Sequence, residues 1–119
     1  MVNAEEVKKR MKSFAVRVLR FVKKLPQTME MHIIAKQVIR SSTSVGANYR
    51  ASDRAKSQAD FIAKMGIVEE ETDETLYWLE ILEELGVSDL KELLSLKKEA
   101  NELLAITVAS IKTAKRNRV

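Results

Sequence analysis

The chain has 119 residues, 45% apolar and 32% charged, with a net charge of +4, three Gly, one Pro and no Cys. That length fits one domain able to bury a core without staples, and the absence of cysteine excludes disulfides, thiolate metal sites and thiol redox chemistry. The opening MVNAEE has no charged segment leading into an apolar run, and no stretch approaches the roughly 20 apolar residues of a membrane span, so the expectation is a soluble, cytoplasmic protein without a membrane partner.

Helix breakers fall in three places, at Leu25-Pro26-Gln27-Thr28, Lys56-Ser57 and Gly86-Val87-Ser88. They divide the chain into four long helices, about 4–25, 29–55, 58–85 and 89–115, with a basic tail at 112–119. Asn3 with Glu6 and Ser57 with Asp60 have capping-box spacing, Thr28 and Ser88 suit N-caps, and Gly86 suits the residue after a helix end. Short links between long helices favour antiparallel neighbours, so the expected fold is all-α, an up-down-up-down four-helix bundle forming one domain over 1–119.

The first helix sets Val7, Met11, Phe14, Val18, Phe21 or Val22, and Leu25 at alternating spacings of four and three, the stripe a bundle buries. Away from that stripe stand Lys9, Lys12, Arg17, Arg20, Lys23 and Lys24, a first candidate surface for nucleic acid. Residues 1–26 carry eight basic and two acidic side chains.

The second helix is built from poor helix formers, Ser41, Ser42, Thr43, Ser44, Gly46 and Asn48. Met31, Ile34, Val38, Val45, Tyr49 and Ser52 share its core face, with Ser41 and Ser42 on the flanks. Small side chains there let neighbouring helices come close, and their hydroxyls can bond the carbonyl one turn back. On the opposite face Lys36, Arg40, Thr43, Ala47, Arg50 and Arg54 follow at spacings of 4, 3, 4, 3 and 4 without a carboxylate. Such a basic stripe suits a phosphate backbone. It equally suits a solvated face, or one paired with the acidic third helix.

The third segment, 57–87, reverses the charge, with one basic and nine acidic residues. Its core stripe is Phe61, Met65, Val68, Thr72, Leu76 and Leu79. Ala63, Ile67, Trp78 and Ile81 lie on the other side, interleaved with Glu70 and Glu74, the pattern of a subunit interface whose partner is basic. A homo-oligomer is therefore expected, unless this helix is simply more buried within its own bundle. The fourth helix offers Leu93, Leu96, Ala100, Leu103 and Thr107, and its end adds the cations Lys112, Lys115, Arg116 and Arg118.

Catalytic patterns are lacking. A carboxylate-bridged di-metal bundle needs two Glu-x-x-His pairs, whereas the single histidine, His32, follows Met29 at that spacing. The run EEETDE at 69–74 wraps more than a full turn, with no second cluster to complete a magnesium site for phosphoanhydride hydrolysis. No Gly-rich phosphate loop or nucleophile elbow is present. The expectation is no enzyme, no cofactor and no metal.

The runs FAVRVL (14–19), LP (25–26), IAKQVIRSSTSVGANYR (34–50), ADFIAKMGIVEEE (59–71) and TLYWLE (75–80) resemble the four-helix-bundle proteins encoded by intervening sequences of bacterial 23S rRNA genes. The resemblance spans nearly all of 10–85 and implies a ring-like homopentamer. It also implies kinship with the accessory protein of diversity-generating retroelements, which binds nucleic acid through basic surfaces and partners a reverse transcriptase. Arg40, Ser41, Ser42, Thr43, Ser44, Asn48 and Arg50 match the family's motif, to which no catalytic role attaches. By that analogy the expected partners are the protein itself and nucleic acid, RNA ahead of DNA. A protein scaffold or accessory subunit, for example of a reverse transcriptase, is the alternative.

Overall fold

The computed structural model describes residues 3–117. Within them lie four helices, α1 Ala4–Val22, α2 Met29–Ser52, α3 Gln58–Leu85 and α4 Leu90–Arg116. Arg118, expected among the tail cations, lies outside the described residues.

Each helix starts where a side chain can satisfy an otherwise unpaired amide. Asn3 Oδ1 accepts from the Glu5 amide at 2.8 Å, and Thr28 Oγ1 from that of Met31 at 3.3 Å. Ser57 Oγ accepts from the Asp60 amide at 3.0 Å while the Asp60 carboxylate accepts from the Lys56 amide at 2.9 Å. Asp89, not Ser88, caps α4, accepting from the Glu92 amide at 3.3 Å.

The ends correct two expected boundaries. α1 stops at Val22 rather than Leu25, because a residue before proline is pushed out of the helical region. The Lys24 and Leu25 amides instead bond the Phe21 and Val22 carbonyls three residues back, at 3.0 and 3.2 Å. α2 ends at Ser52, and the amides of Asp53, Arg54 and Ala55 tighten into the same three-residue bonds. Arg54 therefore stands beyond the helix that was to carry it. Gly86 closes α3 with φ +80°, a conformation that favours glycine.

The expected stripes make the core. Val7, Met11, Phe14, Val18 and Phe21 of α1 meet Val38 and Val45 of α2, Met65, Val68 and Leu79 of α3, and Leu93, Leu96 and Leu103 of α4 in one cluster. Tyr49 and Phe61 are only half-buried at its edge. Thr72 and Thr107 are buried, their hydroxyls donating to the Val68 and Leu103 carbonyls one turn back at 2.7 and 2.8 Å. Among the described residues no buried polar side-chain atom lacks a partner.

The small residues of α2 have structural work of two kinds. Ser41 and Ser42 are fully buried and donate to the Val38 and Ile39 carbonyls at 3.4 and 3.3 Å. The Ser41 and Thr75 hydroxyls meet across the α2–α3 seam at 2.8 Å. On the α1 side, a Cβ at Gly46 would stand 3.3 Å from Met11 Cβ. Glycine is what lets α1 approach there.

Each helix lies beside two neighbours, α1 and α3 each beside α2 and α4, and among the described residues the diagonal pairs bring no Cα atoms within 8 Å and meet only through core side chains. Arg10 and Arg17 of α1 pair with Glu99 and Glu92 of α4, and Lys24 just after α1 pairs with Asp89, the cap of α4, so the partner number falls as the first number rises. Likewise Gln58 and Glu83 of α3 meet Ala114 and Lys97 of α4. The bundle measures 51 × 25 × 21 Å. At one end lie the α1 start, the 53–57 link and the end of α4; at the other lie the 23–28 and 86–89 links.

Candidate nucleic-acid interface

Close packing at Gly46 leaves a groove of about 520 Å³ on the outer side of the α1–α2 seam. Its floor is Met11, Ala15, Thr43, Gly46 and Ala47; its walls are Lys8, Lys9 and Lys12 from α1 and Arg50 from α2, with Glu5 at the mouth. The cations come from the two helices in different states. Lys8 is held by Asp53 and by Glu5, the latter at 3.1 Å, and these carboxylates, Asp53 first, raise its pKa. Lys9, Lys12 and Arg50 are exposed and have no carboxylate partner among the described residues. Three free positive charges over a small-residue floor can accept a phosphate chain, which needs cations and close access rather than base-reading groups.

The rest of the expected basic surface divides. Lys36, Arg20 and Lys23 are exposed without an acidic partner among the described residues, and so are Lys112, Lys115 and Arg116 at the groove's end of the bundle. Arg54 is exposed in the link after α2, also at that end. Three expected contacts are taken up inside the bundle instead. Arg40 turns to α3, donating to Glu71 at 3.0 Å and to Glu74, and its pKa is raised by Glu74 above all. Arg17 binds Glu92 at 3.1 Å and Ser95 at 2.8 Å, and Lys24 binds Asp89 at 3.0 Å. Reading a helix in isolation could not show this, because the acids come from α3 and α4.

The outer residues of α3 divide too. Glu74 accepts from Arg40 and from the Trp78 indole N–H at 3.1 Å, and Trp78 and Ile81 pack, half-buried, on their own core. Ala63, Ile67 and Glu70 face outward, joined by Tyr77 and Leu85, which the sequence reading missed. Tyr77 stacks edge-on against Trp78, ring centres 5.2 Å apart. Also missed were Val16 and Leu19, exposed on the outer side of α1 among lysines and arginines. An apolar residue repeated at three- and four-residue spacing outside the core stripe was the available signal.

His32 is exposed, its Nε2 2.9 Å from Gln27 Oε1. Among the described residues no three His, Cys, Asp or Glu side chains gather as a metal site, and no helix is long and apolar enough to cross a membrane.

A family model described as 23S rRNA-intervening sequence protein matches residues 4–109. A crystal structure of a Bacteroides thetaiotaomicron protein, described as of unknown function from the S23 ribosomal protein family, is 36% identical, with a TM-score of 0.82. The match covers 89% of this chain and 98% of that one. No curated protein matches the chain.

Proposed function

Because the chain belongs to the 23S rRNA-intervening sequence protein family, we propose that it is a non-enzymatic, cytoplasmic, homo-oligomeric bundle that holds structured RNA by its phosphates. The observation that carries the reading is the α1–α2 groove, where Lys9, Lys12 and Arg50 converge with no acidic partner among the described residues while Arg17, Lys24 and Arg40 pair with Glu92, Asp89 and Glu71. Sequence selectivity is low in this reading, since the groove presents no aromatic ring for stacking. The family's description is what favours RNA over DNA in this reading.

The opposite order of contact partners along α1 and α4 supports an antiparallel up-down-up-down arrangement, and the outward apolar residues of α3 support self-association, for which the family resemblance suggests a ring of five. The test is a titration of labelled structured RNA and matched duplex DNA at several salt concentrations. Displaced counterions make binding fall steeply with salt. Lys12→Glu with Arg50→Glu should weaken RNA binding at least tenfold; unchanged affinity overturns the groove as the site. A protein scaffold, such as an accessory subunit of a reverse transcriptase, is favoured if RNA fails to bind at moderate salt, and the exposed Tyr77 and Leu85 are where that partner would sit.

A further inference from the structure

The cations between Lys8 and Arg50 fall into two sets. Five are tied down, Arg10 and Arg17 by α4, Lys24 by the α4 cap, Arg40 by α3, and Lys8 by Asp53 and Glu5. The other six, Lys9, Lys12, Arg20 and Lys23 along α1 and its cap and Lys36 and Arg50 along α2, are exposed with no acidic partner among the described residues. Helical period makes the division. Arg10, Arg17 and Lys24 recur every seven residues on the edge that meets α4, while the free α1 cations lie round the helix on its outer side.

The free cations run the length of the α1–α2 seam. Lys8 meets Asp53 and Met11 meets Gly46, so Lys9 and Lys12 stand near Arg50 at one end, and Lys23 stands with Lys36 toward the 23–28 link. Lys9 to Lys23 and Lys36 to Arg50 each span about 21 Å at 1.5 Å per residue. No carboxylate interrupts either row, since residues 7–26 and 31–52 contain none.

Two features of this face select the form of the polyanion. It is recessed, with a floor of small residues at Gly46 and Ala47 between walls on neighbouring helices, whose axes stand about 8–10 Å apart. Such a cleft admits one flexible chain more readily than the stiff backbone of a duplex. It is also partly apolar. Val16 and Leu19, 39 and 36% exposed, stand between Lys12 and Arg20, and Met11 and Ala15 line the floor. Aliphatic surface among cations gains nothing from a duplex, whose base faces are stacked inside, but can cover the unstacked bases of a single strand. We propose that the outer α1–α2 face holds a single-stranded segment of RNA, about six nucleotides at a rise of roughly 3.4 Å each, with its phosphates between the two cation rows and its bases against Val16 and Leu19. In a structured RNA such segments are the loops and ends. The inference rests on the phosphate-binding reading above and specifies its ligand.

Fluorescence anisotropy of the full-length protein tests it, with labelled oligouridine of about 3, 6 and 12 nucleotides and an RNA duplex of about 12 base pairs. The longest single strand should bind about tenfold tighter than the duplex at equal salt, with most of the gain in affinity per protomer reached by six nucleotides. Its log–log salt slope should be near −4, from about 0.7 for each of six neutralised phosphates. Val16→Ser with Leu19→Ser, both exposed, should weaken single-strand binding about fivefold and leave duplex binding and the salt slope unchanged. Lys23→Gln with Lys36→Gln should reduce the slope by about 1.4, whereas Lys98→Gln, exposed on α4, should leave it unchanged. Circular dichroism confirms the fold of each variant. A duplex that binds as well as the single strand, single-strand affinity indifferent to the Val16 and Leu19 changes, or a slope as sensitive to Lys98 as to the seam lysines overturns this proposal and leaves the phosphate-binding reading in place. Binding of neither RNA overturns both.

Discussion

Gly46 and Gly66 both lie inside long helices, and changing either to Ala adds one methyl and removes the same backbone freedom. In a helix interior that exchange stabilises by about 0.5–1 kcal/mol. Around Gly66 nothing stands within 4 Å of the position a Cβ would take. Gly66→Ala should therefore realise the full gain, raising the thermal midpoint by roughly 2–5 °C for a chain of this size. At Gly46 the new carbon meets Met11 Cβ at 3.3 Å, Met11 C at 3.6 Å and Lys12 N at 3.7 Å. These atoms are backbone or fixed directly to it, so no rotamer change clears the space. α1 has to withdraw by a few tenths of an ångström along the seam that buries Met11 and Phe14. Overpacking of this kind costs about 1–3 kcal/mol, enough to cancel or reverse the propensity gain. Urea unfolding of the two variants side by side should leave Gly46→Ala about 1–3 kcal/mol less stable than Gly66→Ala. Equal gains at both positions would refute the idea that close approach of α1 is why residue 46 is glycine.

Arg40 and Arg50 should separate in their effects: Arg40→Ala lowers the urea midpoint and leaves RNA affinity per protomer unchanged, whereas Arg50→Ala does the reverse. Arg10 grips Glu99 with Nε and Nη2 at 3.0 and 2.6 Å, a two-point pair across the α1–α4 seam with Glu99 largely buried. Arg10→Ala should cost roughly 1–2 kcal/mol in urea unfolding, partly recovered by a Glu99→Gln second change. Stability should also depend on pH in a defined direction. Lys64 holds Asp60, Lys24 holds Asp89 and Arg40 holds Glu74 below their ordinary carboxylate values of 3.8, 3.8 and 4.5. With folded values below unfolded ones, these carboxylates stabilise fully above the unfolded values, and the contribution is lost as pH falls through the folded ones. The thermal midpoint should hold steady down to about pH 5 and decline below about pH 4, less steeply in Asp89→Asn. An acid limb unchanged by that substitution would refute the assignment.

The candidate site was only partly legible because charge on a helix surface can be answered from another helix. From the α2 sequence, Arg40 and Arg50 are equivalent members of one stripe. In the bundle, a carboxylate pair on α3 lies beside the first and not beside the second. Trp78 drew notice as an outward aromatic, yet its indole is tied to Glu74 and its ring leans on the core, leaving Tyr77 as the more exposed neighbour.

By itself the sequence determined the four helices and their core stripes, because a 3.6-residue period and a capping side chain are local and need no partner to be read. It also determined the charge segregation, and with it a chain of one acidic helix among basic ones. Only the tertiary structure decided which cations remain free, since pairing depends on which helices adjoin and at what register. It likewise decided that Gly46 serves the approach of α1 and that Lys9 and Lys12 share one groove with Arg50. Those are distances between segments some 35 residues apart, and helical periodicity within one segment carries no information about them.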